Sequence, residues 1–435
     1  MKQFALILYF FISVPLFLLA QTTYKLSVSE LFDRGFQNSL AIQSSMEKVQ
    51  ISKDKKSLAE KNLLPGVELN GTVGYAGTST IWDKDFSFLG HPKSPVWRQN
   101  YQFLASQPLY EGGQIKKNIR RADLENKLAE LSLENDKSSL KLWLIGRYID
   151  LFNLYKKSEV YQHHIQEAQS RLHNIEKMKE EGMVTNNDVL RSQLLVSNYE
   201  LLYEEGKNDI ILASQQLDII LGMNEDIILQ PEMNLFEMNM ILDSENVYVS
   251  RSYSQYSVLG MARTNIELAQ NNLNLTKANY LPKLSLQASN TLARPIPYVI
   301  PAEDDYINSW GISLNLSFNL SSYFSKKSNL SQARRQINLS KLAFEQEKQT
   351  IRTQVKAAYI KHKEALDRVN ILQKSLEQSN ENYRIVKNKY FNSLSILTDL
   401  LDATAVQLES ELQLTEAKTN AIYTYYQLLE ISGNL

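Results

Sequence analysis

The stretch W-G-I-S-L-N-L-S-F-N-L, residues 310–320, alternates apolar and polar side chains with a period of two residues. Its apolar positions are Trp310, Ile312, Leu314, Leu316, Phe318 and Leu320. Its polar or small positions are Gly311, Ser313, Asn315, Ser317 and Asn319. Successive side chains of a strand point to opposite faces of a sheet, so this stretch predicts a strand with one apolar and one polar face.

Three further runs, residues 67–75, 97–106 and 284–289, show the same alternation. Two-faced strands with aromatic residues near their ends are typical of a membrane β-barrel. Known single-chain barrels need about eight strands to close, and an open sheet edge is not stable in lipid. We therefore expect several copies of this chain to share one barrel. A small soluble sheet packed on helices is the alternative interpretation.

Most of the remaining sequence has the pattern of helices. Residues 29–63 are mostly helical in pattern, and residues 114–181 form a longer helical run that only Gly146 interrupts. A helix of roughly 67 residues would be about 100 Å long, which exceeds the size of a compact domain. A reversal at residues 182–187 and a second helix to Gly222 complete a hairpin. Residues 312–432 contain neither proline nor glycine, so the sequence predicts a second long hairpin there.

The two halves of the sequence repeat one another. The motif Asn62-x-Leu64-Pro65 recurs as Asn279-x-Leu281-Pro282, and Gly222 corresponds to Gly433 under a constant shift along the helices. We interpret the chain as a duplicated unit of helix, strand, strand, long helix and helix. The predicted boundaries are 1–20 for a signal peptide, 21–222 for the first repeat, 223–250 for a connector and 251–435 for the second repeat.

Composition and motifs narrow the function. Residues 1–20 begin with a lysine at position 2, continue with an apolar run and end in alanine, as a secretory signal peptide does; an uncleaved membrane anchor is the alternative. The net charge of −1 argues against nucleic-acid binding, and the absence of cysteine excludes disulfides and thiolate metal sites. The sequence has no G-x-S-x-G motif, no P-loop and no metal-type histidine cluster. We therefore predict no enzyme activity, no cofactor and no metal.

The stretch Y-F-N-S-L-S-I-L-T-D-L-L-D-A-T, residues 390–404, interrupts the second hairpin and then restarts it with two acids. Asp399 and Asp402 are three positions apart, so a helix places them on one face about one turn apart. Like charges at this spacing repel each other, which favours a role other than helix stability. Two solvated acids on an outer face are the alternative. In a narrow pore, such carboxylates would attract cations and repel anions.

Four segments together resemble the TolC family of outer membrane efflux channels. These are the L-P pairs before the strands, P-L-Y-E-G-G at residues 108–113, G-M-V-T-N-N-D-V-L at 182–190 and L-T-D-L-L-D-A-T at 397–404. The resemblance implies an α+β fold in which three protomers contribute four strands each to a twelve-stranded outer membrane barrel. Their long α-helical hairpins would form a tunnel through the periplasm. The implied partners are two further copies of the chain, outer membrane lipid, a periplasmic adaptor and an inner membrane pump of RND, ABC or MFS type.

The same resemblance assigns roles to residues at the hairpin tips. Asp399 and Asp402 match the acids of the constriction, while Asp188, Tyr390 and Ser395 match the positions of a latch between the tips. The predicted adaptor contacts are Gly182, Met183, Val184, Thr185, Ser393 and Leu394. Ser395 departs from the family pattern, because the best-described latches have an arginine there. Ser393 replaces a glycine that is frequent at this reversal.

Two functional interpretations follow from the sequence. The first is a trimeric exit channel of a tripartite efflux or type I secretion system, in which substrate passes from an inner membrane pump and adaptor to the exterior. The second is a soluble periplasmic coiled-coil scaffold or adaptor without a membrane barrel. Partition into the outer membrane distinguishes the two.

Overall fold

The computed structural model describes residues 23–232, 234–237, 240–296, 298–299 and 302–435. The predicted signal peptide, residues 1–20, lies outside these ranges. The first part of the chain forms β1 (Thr23–Leu26), α1 (Val28–Asn38), α2 (Leu40–Lys61), β2 (Gly66–Tyr75), β3 (Ile81–Trp82), β4 (Phe88–Gly90), β5 (Trp97–Tyr110), α3 (Gln114–Glu180) and α4 (Asn186–Leu221). The second part forms β6 (Ile228–Pro231), a 3-10 turn (Leu235–Glu237), α5 (Glu245–Gln255), α6 (Ser257–Ala278), β7 (Lys283–Arg294), β8 (Ile307–Ser317), α7 (Ser322–Phe391) and α8 (Leu397–Ile431).

The duplication predicted from the sequence is confirmed in the order of the elements. Helices α1 and α2 match α5 and α6, and equivalent residues are 217 positions apart in the sequence. Beyond the strands the difference is 211, as shown by Glu180 and Phe391, the last residues of α3 and α7. The six-residue change, 217 minus 211, falls in the connection between the two strands of each repeat. Two copies of one helix-and-strand unit therefore follow each other in the chain.

The four long strands form one antiparallel sheet in the order β2-β5-β7-β8. Strands β2 and β8 are its edges, and in the described ranges of the chain each pairs on one side only. Eight apolar residues of these edge strands are between 59% and 80% exposed: Val67, Leu69, Val73, Tyr75, Trp310, Ile312, Leu314 and Leu316. One chain therefore leaves both the apolar face and the two edges of the sheet uncovered.

The helices follow the same order as the strands. Above the middle of the long helices, α2 contacts α3, α3 contacts α6, and α6 contacts α7. Towards the tips, α4 contacts α3, α3 contacts α8, and α8 contacts α7. None of the helices among the described residues is long and apolar enough to cross a membrane.

The largest core cluster lies near the middle of α3. Leu144, Tyr148 and Phe152 recur every four residues and are fully buried against α1, α4, β1 and β6. The hydroxyl of Tyr148 donates a hydrogen bond to the carbonyl of Leu26 at 2.7 Å and accepts one from the amide of Glu232 at 2.8 Å. Burial raises the pKa of Tyr148 to about 12, so the hydroxyl stays neutral. This core joins the parallel pair β1 and β6 to the long helices.

One acid is buried beside this core. Asp218, near the end of α4, is fully buried, and within the described part of the chain neither of its carboxylate oxygens has a hydrogen-bond partner. Burial, together with the charge of Glu225, raises the pKa of Asp218 to about 6. The ionised carboxylate is thus unfavourable in the folded chain.

We expect Asp218→Asn to stabilise the protein at pH 7.5 by up to about 3 kcal/mol, because the variant removes a buried charge. The pKa of Asp218 is higher in the folded than in the unfolded chain, so protonation of this carboxyl favours the folded state. This contribution to stability is fully present below pH ~4 and is lost as pH rises to ~6. The advantage of the variant should therefore disappear at pH 4. Thermal unfolding of the detergent-solubilised protein at both pH values measures it. Asp209→Asn, at an exposed position of the same helix, is the control; an equal gain at both pH values would contradict the prediction.

Candidate functional site at the hairpin tips

Both helical hairpins reverse with the same backbone hydrogen bonds. The amide of Met183 donates to the carbonyl of Met178, and the amide of Leu394 donates to the carbonyl of Lys389, each at 2.8 Å. This pattern ends a helix when the residue before the donor adopts a left-handed conformation. Gly182 has a φ of 73°, and Ser393 has a φ of 59°. Ser393 therefore occupies a conformation that glycine adopts at much lower cost.

The two returning helices begin differently. In α4, Thr185 and Asp188 form a capping box: the Asp188 carboxylate accepts from the Thr185 amide at 2.9 Å, and the Asp188 amide donates to the Thr185 hydroxyl at 3.3 Å. In α8 the corresponding first position is Ile396, which has no capping oxygen. The Asp399 carboxylate accepts a hydrogen bond from the Ser395 hydroxyl at 2.7 Å instead. The acid of the first hairpin is thus used in helix capping, whereas that of the second is not.

Apolar side chains pack the two tips side by side. The buried members of this cluster are Ile175, Val189, Tyr383, Tyr390, Leu397 and Leu400. The hydroxyl of Tyr390 is buried and has no hydrogen-bond partner among the residues that the structure describes. Burial raises the pKa of Tyr390, and the negative charge of Asp188 raises it further. Asp188 is therefore near Tyr390, but its carboxylate bonds to Thr185, so the latch proposed for these residues stays a prediction.

Two arginines join the first hairpin to the second. Arg191 of α4 donates to the hydroxyl of Thr398 at 2.9 Å, and the buried Arg171 of α3 donates to the hydroxyl of Thr404. The guanidinium of Arg171 also lies over the ring of Tyr383, 5.7 Å from its centre. The sequence analysis missed both links. Arg171 follows Ala168 by three residues and precedes Ile175 by four, so its place in a buried helical stripe was the available signal.

The predicted constriction residues lie on the exposed side of α8. Asp399 and Asp402 are both exposed in the single chain, whereas Leu400 and Ala403 point into the packed tips. The predicted adaptor contacts lie at the end of the molecule, where Met183 is 65% exposed and its counterpart Leu394 is 76% exposed. Asp399, Asp402, Met183 and Leu394 are thus free to face other chains or a pore. Val184, also a predicted adaptor contact, packs against the tip cluster instead.

The comparisons with known proteins bear on this arrangement. Residues 252–434 match the family model described as outer membrane efflux protein. The second repeat of the chain is therefore similar to this family. A comparison with curated protein sequences gave no match.

Solved structures show how widely the outer membrane efflux protein fold extends over the chain. CusC is similar at a TM-score of 0.78 and 14% identity, covering 94% of this chain and 92% of its own. VceC from Vibrio cholerae is similar at 0.74 and 14% identity, covering 93% and 96%. The open-state MtrE channel of Neisseria gonorrhoeae is similar at 0.72 and 14% identity, covering 93% and 88%. The fold therefore includes the first repeat as well as the matched second one.

We expect Ser393→Gly to stabilise the second tip and Gly182→Ser to destabilise the first, each by about 1 kcal/mol. The reason is that glycine adopts the left-handed conformation at lower cost than serine. Hydrogen exchange at the amides of Met183 and Leu394 measures the local effect. Asn392→Gly is the matched control, since Asn392 is adjacent and has a φ of −100°. An equal gain from Asn392→Gly and Ser393→Gly would contradict the prediction.

Proposed function

We propose that the protein is the trimeric exit channel of a tripartite efflux or type I secretion system. The observation that carries this proposal is the sheet, whose apolar edge-strand residues are exposed and whose two outer strands have no second partner among the described strands. Exposed apolar patches of this kind mark surfaces that contact lipid or other chains. Three copies would pair edge to edge into a barrel of twelve strands, leaving no open edge in lipid.

The length of the helices fits a tunnel. Helices α3 and α7 have 67 and 70 residues, which corresponds to about 100 Å. Rods of this length below a membrane-embedded sheet would carry the tips deep into the periplasm. A passive tunnel has no energy source, so an inner membrane pump of RND, ABC or MFS type would supply the work. A periplasmic adaptor would contact the exposed tip residues, including Met183 and Leu394.

The tips would form the closable end of the tunnel. Three copies of Asp399 and Asp402 would place two rings of carboxylates, one helical turn apart, around the axis. The packed cluster around Tyr390 would hold each protomer's two hairpins together. Because Ser395 supplies a hydroxyl rather than a guanidinium, closure would rest on packing and on the Arg171 and Arg191 links, not on an ion pair at position 395.

We expect the full-length protein to sediment with the outer membrane, to require detergent for extraction and to migrate as a heat-sensitive trimer. The physical reason is that the exposed apolar residues of the sheet need lipid or detergent around them, while the unpaired strand edges need a second copy because unsatisfied backbone groups are costly in lipid. Membrane fractionation followed by gel electrophoresis of unheated and heated samples measures both properties. Release as a monomer by salt alone would support the soluble scaffold and contradict the channel.

We also expect divalent cations to block the closed channel in planar bilayers, because rings of carboxylates in a narrow pore attract cations. Asp399→Asn combined with Asp402→Asn should weaken the block by at least about tenfold, since both rings lose their charge. Glu181→Gln, which removes an exposed charge from the tip of the first hairpin, is the control and should leave the block intact. Undiminished block in the double variant would show that Asp399 and Asp402 do not line the constriction.

A further inference from the structure

The internal repeat predicts how the strand edges of neighbouring protomers align. The two hairpins of the sheet have the same register: Gly66 lies opposite Ser106, and their counterparts Lys283 and Ser317 lie opposite each other. The numbers differ by 217 between β2 and β7 and by 211 between β5 and β8, as they do for the helices. Position-by-position equivalence of the two repeats therefore extends through the strands.

Within the four-stranded sheet, the pair of β5 with β7 joins the two repeats. In this pair of β5 with β7, Ser106 lies opposite Gln287 and Leu104 lies opposite Ser289. The equivalent pair, β8 with β2, cannot form within one chain because these strands are the opposite edges of the sheet. It can form between two copies. The β5–β7 pair is therefore a template for the contact between protomers.

We propose that β8 of one protomer pairs with β2 of the next in the register of this template, an inference that rests on the proposed trimeric barrel. Ser317 is the counterpart of Ser106, and Asn70 is the counterpart of Gln287. The template therefore places Ser317 opposite Asn70 of the neighbouring copy. The same transfer places Asn315 opposite Thr72. The partner of the exposed β8 edge is thus a second copy of this chain, aligned by specific residues.

The side chains of the two edges independently support this register. It places Leu314 opposite Val73 and Ile312 opposite Tyr75, so apolar residues meet on one face. On the other face, polar Asn315 meets polar Thr72. A slip by one residue would bring Leu314 opposite Thr72 or a glycine and would turn apolar side chains of one strand to the polar face of the other.

The helices next to the sheet show the same missing neighbour. Leu131 of α3 packs against Gly260 of α6, which joins the two repeats within the chain. The equivalent residue of the second repeat, Leu342 of α7, is 66% exposed. The template places α2 of the neighbouring protomer against α7, as α6 lies against α3. The edge strand β8 and the exposed side of α7 therefore indicate the same partner on the same side of the chain.

Disulfide trapping tests the register, because the chain contains no cysteine of its own. Four sites on the polar face are combined in pairs: Thr72→Cys with Asn315→Cys, Asn70→Cys with Ser317→Cys, and the two crossed combinations. Cβ atoms directly opposite each other in an antiparallel sheet are about 5 Å apart, close to disulfide distance, whereas diagonal neighbours are about 7 to 8 Å apart. Outer membranes are oxidised with copper phenanthroline, and trimers are resolved on non-reducing gels after boiling.

We expect both direct pairs to give covalent trimers that reductant dissociates, with about tenfold more product than the crossed pairs, which are beyond disulfide reach. Single-cysteine variants set the background. Linking of a crossed pair in place of the direct pairs, or no linking in a protein that is still a trimer, would overturn the register while leaving the channel intact. No linking in a protein that extracts as a monomer would overturn the proposed trimer itself.

Discussion

The unpaired backbone edges of β2 and β8 are the constraint on which the rest of the architecture depends. A backbone group that faces hydrocarbon without a partner costs several kcal/mol, so a sheet in lipid has to close on itself. A single chain with four long strands does not reach the strand number that closure needs. The exposed apolar residues of the same strands make the constraint stricter, because they need lipid or protein around them. Helices α2, α3, α6 and α7 repeat the order of the strands, so both layers are incomplete at the same two sides.

The duplicated units have kept their backbone and changed their chemistry at the tips. Gly182 and Ser393 share a left-handed conformation although only the first is a glycine. Thr185 caps its helix, whereas the equivalent Ile396 does not, and this difference releases Asp399 from the capping role of Asp188. The second tip is therefore locally less stable in its backbone and richer in available charge. Both features would fit the closable end of the proposed tunnel.

Periodicity identified most of the elements because their two faces meet different environments. The run 310–320 alternates because one face of β8 is apolar and the other is polar. The observed strand begins at Ile307 and ends at Ser317. Residues 29–63 were expected to be one helical segment, but the structure divides them at Ser39 into α1 and α2. No proline or glycine marks this break. It is stabilised by distant contacts, including the hydrogen bond from the side-chain amide of Asn38 to the carbonyl of Leu221.

By itself, the sequence determined the fold class, the duplication and the positions of both reversals, because these depend on local patterns of polarity and on turn-forming residues. It also singled out Asp399 and Asp402 from their spacing. Only the tertiary structure decided what each tip residue contacts: Asp188 with Thr185, Asp399 with Ser395, and Arg171 with Thr404 across 233 positions of sequence. Such contacts depend on how the two hairpins are aligned against each other. That alignment is set by packing over the full length of the helices and leaves no local signal in the sequence.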